Sequence, residues 1–265
     1  MELYIHIPFC VKKCDYCDFL SAPWPTEVRR AYTKALCAEI AFFGAVLESP
    51  LLETIYIGGG TPTWLEAVLL DEIMQTVYKH FSIAEDAEIS MECNPGTVSL
   101  SDFSSYRRWG LNRLSIGLQS ANDEELRLLG RAYTYSRFLS TYENARRSGF
   151  YNINIDIMTG LPRQTDEKLL RTLEKVISLR PEHVSAYALT IEEGTPFFDR
   201  YQLDEKRRQA GMPTAELPDD DASYFLSKMT ENVLAEHGYE RYEISNFAKG
   251  GLVCRHNIGY WKREP

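Results

Sequence analysis

The sequence lacks any apolar segment long enough to cross a bilayer. Its longest uninterrupted apolar run is residues 40–47, whereas a membrane-spanning helix needs about 20 apolar residues. The N-terminal stretch MELYIHIPFC contains neither the basic cluster nor the long apolar run of a secretory signal peptide. We therefore expect a soluble protein of the cytoplasm.

Basic residues are fewer than acidic ones. The 265 residues include 29 Lys and Arg against 38 Asp and Glu, so the formal net charge is −9. This balance disfavours charge-driven binding to nucleic acid or to an anionic membrane surface. We expect no nucleic-acid partner, although a small basic pocket is compatible with the composition.

The sequence has no disulfide framework. Its six cysteines are Cys10, Cys14, Cys17, Cys37, Cys93 and Cys254. A disulfide scaffold is smaller and far denser in cysteine, and a chain of this length buries a large core without cross-links. In a reducing compartment, a close cluster such as the first three cysteines indicates a metal site. Cys37 and Cys93 fall in predicted elements and are interpreted as small core residues.

Strands alternate with helices along the first 190 residues. The predicted strands are residues 3–7, 54–58, 87–93, 112–118, 152–158 and 183–189. The predicted helices are residues 26–47, 65–80, a short helix after a capping box at Ser99, and residues 122–129, 136–148 and 166–179. This alternation predicts a parallel sheet. Since a closed TIM barrel has eight units, six favour an open, partial barrel or a doubly wound sheet.

The pattern changes after the sixth strand. Residues 194–220 are rich in Gly, Pro and charge, which predicts an irregular excursion over the surface. A helix is predicted at 220–237, followed by polar and aromatic sequence up to an abrupt end at Pro265. We expect a barrel domain at 1–195 and, at 196–265, the start of a C-terminal region that is incomplete here.

The clustered cysteines follow the first predicted strand in the pattern C-x3-C-x2-C. A structural zinc site takes four protein ligands, and the nearest histidine, His6, lies on the strand itself. Three thiolates on a short loop can instead hold three irons of a cubane [4Fe–4S] cluster and leave the fourth iron open. The spacing predicts such a cluster on Cys10, Cys14 and Cys17.

This loop and the preceding YIHIPF segment resemble the radical S-adenosylmethionine (SAM) superfamily. Within it, they are similar to the group of oxygen-independent coproporphyrinogen III oxidases (dehydrogenases) and their heme-chaperone relatives. The resemblance covers essentially the whole chain and implies an α/β fold, a partial (βα)6 TIM-like barrel. It also implies that SAM chelates the fourth iron. An electron from the cluster, and hence an electron donor, can then split SAM into methionine and a 5′-deoxyadenosyl radical.

Polar residues near successive strand ends match positions that contact SAM in this family. The resemblance assigns SAM contacts to Tyr4, Tyr16, Gly59, Gly60, Thr61, Glu92, Gln119, Arg131 and Asp156. The glycine loop offers acceptors to the SAM ammonium, an Arg suits its carboxylate, and an Asp suits ribose hydroxyls. Taken singly, each residue fits a structural role better than a functional one; the assignment depends on their occurring together.

The C-terminal segment RHNIGYW contains H-N-x-x-Y-W, which resembles a motif of the heme-chaperone branch. His256 is a candidate iron ligand for heme, and Tyr260 and Trp261 offer flat apolar surface to a porphyrin. Cys254 is a second candidate ligand, and the choice stays open. Because a histidine coordinates only when neutral, heme binding is expected to weaken below about pH 6.5.

Two departures separate the relatives. The dehydrogenases carry a further cysteine where this chain has Phe19, and they have an N-terminal extension where only Met1–Leu3 precede Tyr4. We therefore predict a heme chaperone that passes heme to an acceptor protein, in solution or at a membrane. A coproporphyrinogen III dehydrogenase is the alternative. Two further hypotheses remain: a radical-SAM enzyme that acts on RNA or protein, and a structural zinc protein.

Overall fold

The structure is a computed structural model that describes residues 1–264. The strands are β1 (Glu2–Ile7), β2 (Leu51–Gly59), β3 (Ser82–Cys93), β4 (Arg113–Gln119), β5 (Ile153–Thr159), β6 (His183–Ala188), β7 (Glu240–Arg241) and β8 (Asn246–Ala248). The α-helices are α1 (Thr26–Val46), α2 (Ala67–His80), α3 (Leu100–Arg108), α4 (Asp123–Leu128), α5 (Tyr135–Arg147), α6 (Asp166–Ser178), α7 (Pro196–Gln209), α8 (Asp220–Glu236) and α9 (Arg255–Lys262).

The strands form a single, mainly parallel sheet. β1 to β6 lie side by side in chain order, each parallel to the next. β8 and then β7 continue the sheet antiparallel beyond β6. Among residues 1–264, β1 pairs with β2 alone, so the barrel does not close. The predicted partial (βα)6 barrel is confirmed.

Side-chain alternation along the strands separates an apolar core from a polar interior. Outward residues such as Ile55, Ile57 and Ile116 pack against the helices in a large hydrophobic cluster. The residues between them, such as Tyr56 and Ser115, line a cavity inside the barrel. Because successive side chains of a strand point to opposite faces, each strand serves both the core and the cavity.

The predicted strands and most predicted helices are found. At the start of α3, the Ser99 hydroxyl accepts the N–H of Asp102 while the Asp102 carboxylate accepts the N–H of Ser99, which is the predicted capping box. At the start of α6, the Thr165 hydroxyl accepts the N–H of Lys168. Both caps satisfy N–H groups that the first helical turn leaves without partners.

At 194–220 the prediction is corrected in part: the chain adds no βα unit within this segment, but residues 196–209 are helical. The chain forms α7 directly after Thr195, whose hydroxyl accepts the N–H of Phe198. Pro196 occupies the first turn, where a missing N–H costs no helical hydrogen bond and the fixed φ suits the helix. Pro196 therefore begins a helix rather than interrupting one.

The C-terminal segment docks beneath the barrel. The Glu88 carboxylate of β3 accepts the backbone N–H of Arg255 at 3.0 Å and of His256 at 3.3 Å, at the start of α9. The His256 ring stacks on Tyr56 of β2 with centroids 5.2 Å apart. α9 therefore closes the cavity from the side of the strands' amino ends. No helix within residues 1–264 is long and apolar enough to span a membrane.

Candidate functional site

The barrel interior contains a cavity of about 610 Å³. Every residue predicted to hold the cluster, SAM or heme lines it: Tyr4, Cys10, Cys14, Tyr16, Cys17, Gly59, Gly60, Thr61, Glu92, Gln119, Arg131, Asp156 and His256. We call the end at the carboxyl ends of β1–β6 the rim, and the end closed by α9 the floor. The cysteines lie at the rim and His256 at the floor, and active sites of such barrels form at the carboxyl ends of the strands.

The cysteine loop is held in shape by backbone hydrogen bonds. The Cys10 N–H donates to the Ala22 carbonyl at 3.1 Å and the Cys17 N–H to the Cys14 carbonyl at 3.2 Å. All three thiols are free. The Thr61 hydroxyl donates to Cys10 Sγ and the Arg131 guanidinium to Cys14 Sγ, each at 3.5 Å. Both donors are directed at sulfur atoms that would carry negative charge as metal ligands.

The three sulfurs do not converge on a single point. Within residues 1–264, no group of three Cys, His, Asp or Glu side chains is placed to hold one metal ion. A cubane cluster does not require such convergence, because each thiolate binds a different iron. Three free thiols on one fixed loop, with hydrogen-bond donors at two of them, fit a [4Fe–4S] cluster.

Helix α7, missing from the sequence prediction, holds this loop from outside. The N–H of Asp15 donates to the Leu129 carbonyl at 3.1 Å, and the Asp15 carbonyl accepts the N–H of Phe197 at 2.9 Å. The Asp15 carboxylate also lies 3.7 Å from the Arg200 guanidinium. The loop between Cys14 and Cys17 is therefore fixed by two neighbouring parts of the chain.

The glycine loop after β2 needs its glycines. Gly59 has φ +112°, and a Cβ there would lie 2.5 Å from the His6 ring. A Cβ on Gly60 would lie 2.8 Å from the Phe9 carbonyl oxygen. Gly59 also donates its N–H to Glu92 at 3.1 Å. The bare backbone thus lets the loop pack closely beside the cysteine loop.

Glu92 is a half-buried carboxyl near the end of β3. It accepts hydrogen bonds from the Gly59 N–H at 3.1 Å and the Tyr56 hydroxyl at 3.2 Å. Burial, followed by repulsion from Asp156, raises the pKa of Glu92 to about 7. An ammonium group placed beside it would favour its charged form, since opposite charges stabilise each other strongly in a buried site.

Arg131 is a half-buried guanidinium at the rim. It donates to Asn94 Oδ1 at 3.2 Å and lies over the rings of Tyr16 and Tyr133, 5.9 and 5.3 Å from their centroids. Its Nε has no hydrogen-bond partner. Burial alone would lower the pKa of Arg131, but Tyr133, Tyr16 and Cys14 outweigh burial and raise it. The group stays charged and retains a free donor.

Asp156 and Gln119 complete the rim. Asp156 accepts from Asn154 Nδ2 at 2.6 Å and from the Ser115 hydroxyl at 3.1 Å. Burial raises its pKa above the ordinary value despite these hydrogen bonds. Gln119 adopts φ +69°, a left-handed conformation that is uncommon outside glycine, and accepts the Tyr187 hydroxyl at 2.6 Å. Such backbone conformations concentrate at functional sites.

His256 and Cys254, the two candidate iron ligands, lie at the floor. His256 is 2% exposed; its Nδ1 is 2.7 Å from the Thr54 hydroxyl and its Nε2 is 3.3 Å from the Tyr260 hydroxyl. Burial lowers the pKa of His256 to about 4. Cys254 Sγ donates to Glu88 at 3.5 Å, and burial raises its pKa to about 11. Both ligands are neutral and covered at neutral pH.

The burial of His256 predicts a pH-dependent stability. Its pKa is about 4 in the folded protein and about 6.5 when unfolded, so between these values the unfolded chain binds more protons. The free energy of unfolding should therefore fall by up to about 3 kcal/mol as the pH drops from 6.5 to 4. Urea unfolding across this range should show a shallower decline for His256→Gln. The exposed His237→Gln should behave as wild type, and equal declines in His256→Gln and wild type would contradict the account.

Comparison with known proteins identifies the family of the chain. The profile of the radical SAM superfamily matches residues 4–176. The chain belongs to the radical SAM superfamily. It is 39% identical to the heme chaperone HemW of Escherichia coli over 263 residues, covering 99% of this chain and 66% of HemW. It is 36% identical to HemW of Bacillus subtilis, covering 98% of this chain and 67% of HemW.

A solved structure shows the same fold. The coproporphyrinogen III oxidase HemN of Escherichia coli, described as a radical SAM enzyme, superposes with a TM-score of 0.83 at 29% identity. The match covers 98% of this chain and 58% of that one. These relatives confirm the group predicted from the cysteine loop. The chain spans about two thirds of the length of the relatives it matches by sequence.

The sequence interpretation overlooked several residues of this radical SAM cavity. Arg113, Asn154 and Tyr187 line it although no motif marks them. The available signal was the alternation of β4 and its neighbours: Arg113 lies on the same face as Ser115 and Gln119. A polar residue at that periodicity in a buried strand faces the interior.

Proposed function

We propose that the rim holds a [4Fe–4S] cluster on Cys10, Cys14 and Cys17, with SAM at its open iron. Support comes from the superfamily, from the three free thiols on one loop, and from the donors that Thr61 and Arg131 direct at two of the sulfurs. When bound, the cluster supplies an electron that can cleave SAM. This assignment requires an external electron donor.

The polar residues of the rim match the groups of SAM. We assign the SAM carboxylate to Arg131, whose Nε is free and whose charge is retained. The ammonium group suits Glu92 and the carbonyls of the Gly59–Gly60 loop, since proximity of a cation would ionise the Glu92 carboxyl. Asp156, already an acceptor at the rim, suits the ribose hydroxyls. The remaining assigned contacts are Tyr4, Tyr16, Thr61 and Gln119.

We infer that the protein is a cytoplasmic heme chaperone that binds heme and passes it to an acceptor protein. The observation that carries this inference is 39% identity to HemW over 99% of the chain. The acceptor can be in solution or associated with a membrane. No nucleic acid is expected among the partners.

We propose that heme meets the protein at the exposed face of α9. Tyr260 and Trp261 are 58% and 57% exposed and offer flat apolar surface. His256 lies behind Tyr260, with Nε2 3.3 Å from the Tyr260 hydroxyl. Coordination by His256 therefore requires the Tyr260 side chain to turn away. Cys254 is the alternative ligand and would have to release its hydrogen bond to Glu88.

A second function is favoured by the superposition on HemN: the SAM-dependent decarboxylation of coproporphyrinogen III. In the dehydrogenases, a further cysteine follows the third cluster cysteine by two positions. Here that position is Phe19, an exposed side chain at the mouth of the cavity. An altered group there disturbs the placement of substrate, which is worth several kcal/mol of a reaction barrier. We therefore favour the chaperone.

The experiment is hemin titration of the anaerobically reconstituted protein. The chaperone assignment predicts a saturable Soret band with one heme per chain. In the same preparation, coproporphyrinogen III with SAM and a reductant should give no decarboxylated product above a protein-free blank. His256→Ala should alter the Soret band with the cluster intact. Absence of saturable heme binding, or SAM-dependent product, would overturn the assignment.

A further inference from the structure

The floor of the cavity contains a buried cation that the functions proposed so far do not use. Arg113, the first residue of β4, faces the barrel interior and is 2% exposed. None of the ion pairs within residues 1–264 includes it, and its Nε has no hydrogen-bond partner. Buried arginines are otherwise paired or hydrogen-bonded. Arg113 is therefore placed to bind a negatively charged group of a ligand.

Two carboxylates, Glu88 and Asp156, neighbour Arg113, and both are already hydrogen-bonded elsewhere. Glu88 lies two positions before Ser90, the residue that pairs with Arg113 across the β3–β4 register. Its oxygens accept the backbone N–H groups of Arg255 and His256 and the thiol of Cys254. Glu88 thus anchors α9 and lies beyond ion-pair distance of the Arg113 guanidinium.

A second free donor lines the same cavity. Asn257, on α9, has a buried side-chain N–H group, Nδ2, with no hydrogen-bond partner. A carboxylate has two oxygens and accepts several hydrogen bonds, and a guanidinium can bind it through two parallel N–H groups. The Asn257 side chain neighbours the Tyr242 hydroxyl, and together with the Arg113 guanidinium it forms a donor set that suits one carboxylate.

This set is separate from the carboxylate-binding residue of the rim. Arg113 begins β4, and the Arg131 guanidinium lies beside Gly117, four residues further along that strand, so the two positions are about 13 Å apart along the strand. A SAM whose carboxylate meets Arg131 at the rim cannot bring that same group to Arg113. The carboxylate at the floor must come from a second ligand.

We propose that Arg113 and Asn257 form a carboxylate-binding subsite at the floor of the barrel, and that a heme propionate occupies it. The choice of heme rests on the proposed chaperone function. Tyr260, at the exposed face of α9, lines the same cavity, so a porphyrin lying against α9 can extend a propionate inward. A free small carboxylate is the other source with the same chemistry.

The test compares hemin with hemin dimethyl ester, whose propionates carry no charge, on the cluster-loaded full chain. Arg113→Gln is expected to weaken hemin binding by at least tenfold and to leave ester binding unchanged. Asn257→Ala should weaken hemin binding to a smaller extent. Arg108→Gln, an exposed arginine of α3, is the matched control and should bind both as wild type does. An equal loss for hemin and ester, or no loss for either, would overturn the propionate assignment.

Calorimetric titration with succinate separates the two sources. Succinate binding to wild type and not to Arg113→Gln supports a subsite filled from solution, whether or not heme binds. If wild type binds no hemin, the chaperone function fails while the succinate titration still decides the subsite. Succinate binding to neither protein, together with no preference for hemin over its ester, would overturn the subsite. If Arg113→Gln does not fold, Arg113→Lys replaces it in both titrations. The wild-type protein alone also tests the proposal, because it should bind hemin more than ten times as tightly as the ester.

Discussion

Replacing Cys10, Cys14 or Cys17 by Ala is expected to remove the iron–sulfur cluster altogether. The three thiols are free and lie on one loop that lines the rim of the cavity. Loss of any one leaves a second iron without a protein ligand. Iron and sulfide analysis after anaerobic reconstitution should fall from one cluster per chain to near zero.

Cys37→Ala is the matched control for this experiment. Cys37 is also a free thiol, but it lies half-buried in α1 and does not line the cavity. This variant should reconstitute like wild type, and circular dichroism should show that all four variants fold. Full iron content in Cys14→Ala would contradict the cluster assignment.

Arg131→Ala is expected to weaken SAM binding by about 1.5–3 kcal/mol, the scale of a lost hydrogen bond to a charged group. The guanidinium is charged, its Nε is buried and has no hydrogen-bond partner, so a bound carboxylate would gain a charge-assisted hydrogen bond there. Calorimetric titration of the cluster-loaded protein should show the dissociation constant rising roughly 10- to 150-fold.

Arg127→Ala provides the comparison for Arg131. Arg127 is exposed on α4 and its side chain donates only to the Asp123 carbonyl. Its replacement should leave SAM affinity and cluster content unchanged. If Arg131→Ala binds SAM as tightly as Arg127→Ala, Arg131 does not contact the SAM carboxylate.

Local patterns were sufficient to predict the barrel. The strand preceding Cys10 and the strand ending at Gln119 are short segments rich in apolar residues, each followed by a helix. Thr165 marks the start of α6 by a cap that acts within four residues. These signals depend only on residues close in sequence, so contacts between distant segments do not alter them. The cysteine loop is likewise local, which is why its ligands could be named from spacing.

What could not be predicted depends on contacts between distant segments. The sequence alone predicts an ordinary pKa for His256. In the structure, the ring stacks on Tyr56 and hydrogen-bonds to Thr54, and its burial there lowers the pKa to about 4. If His256 binds heme iron, binding should persist to a lower pH than the expected value near 6.5. The sequence does not predict that Arg113 is buried, because a lone arginine at the start of a strand is ordinarily a surface residue.

The same limit applies to α7. The Gly and Pro content around residue 196 predicts a surface segment, whereas Thr195 caps a helix whose first turn accommodates Pro196. The consequence reaches the site, since the N–H of Phe197 donates to Asp15 within the cysteine loop. A contact across 182 positions of sequence has no local signature.

Electron paramagnetic resonance of the reduced, cluster-loaded protein with and without SAM tests the central claim most directly. If the three cysteines leave one iron open and SAM occupies it, adding SAM changes the ligand of that iron. We therefore expect the g values of the reduced cluster to shift on addition of SAM, and to shift less in Arg131→Ala at the same SAM concentration. A spectrum that is unchanged at saturating SAM in wild type would contradict the assignment of this cavity.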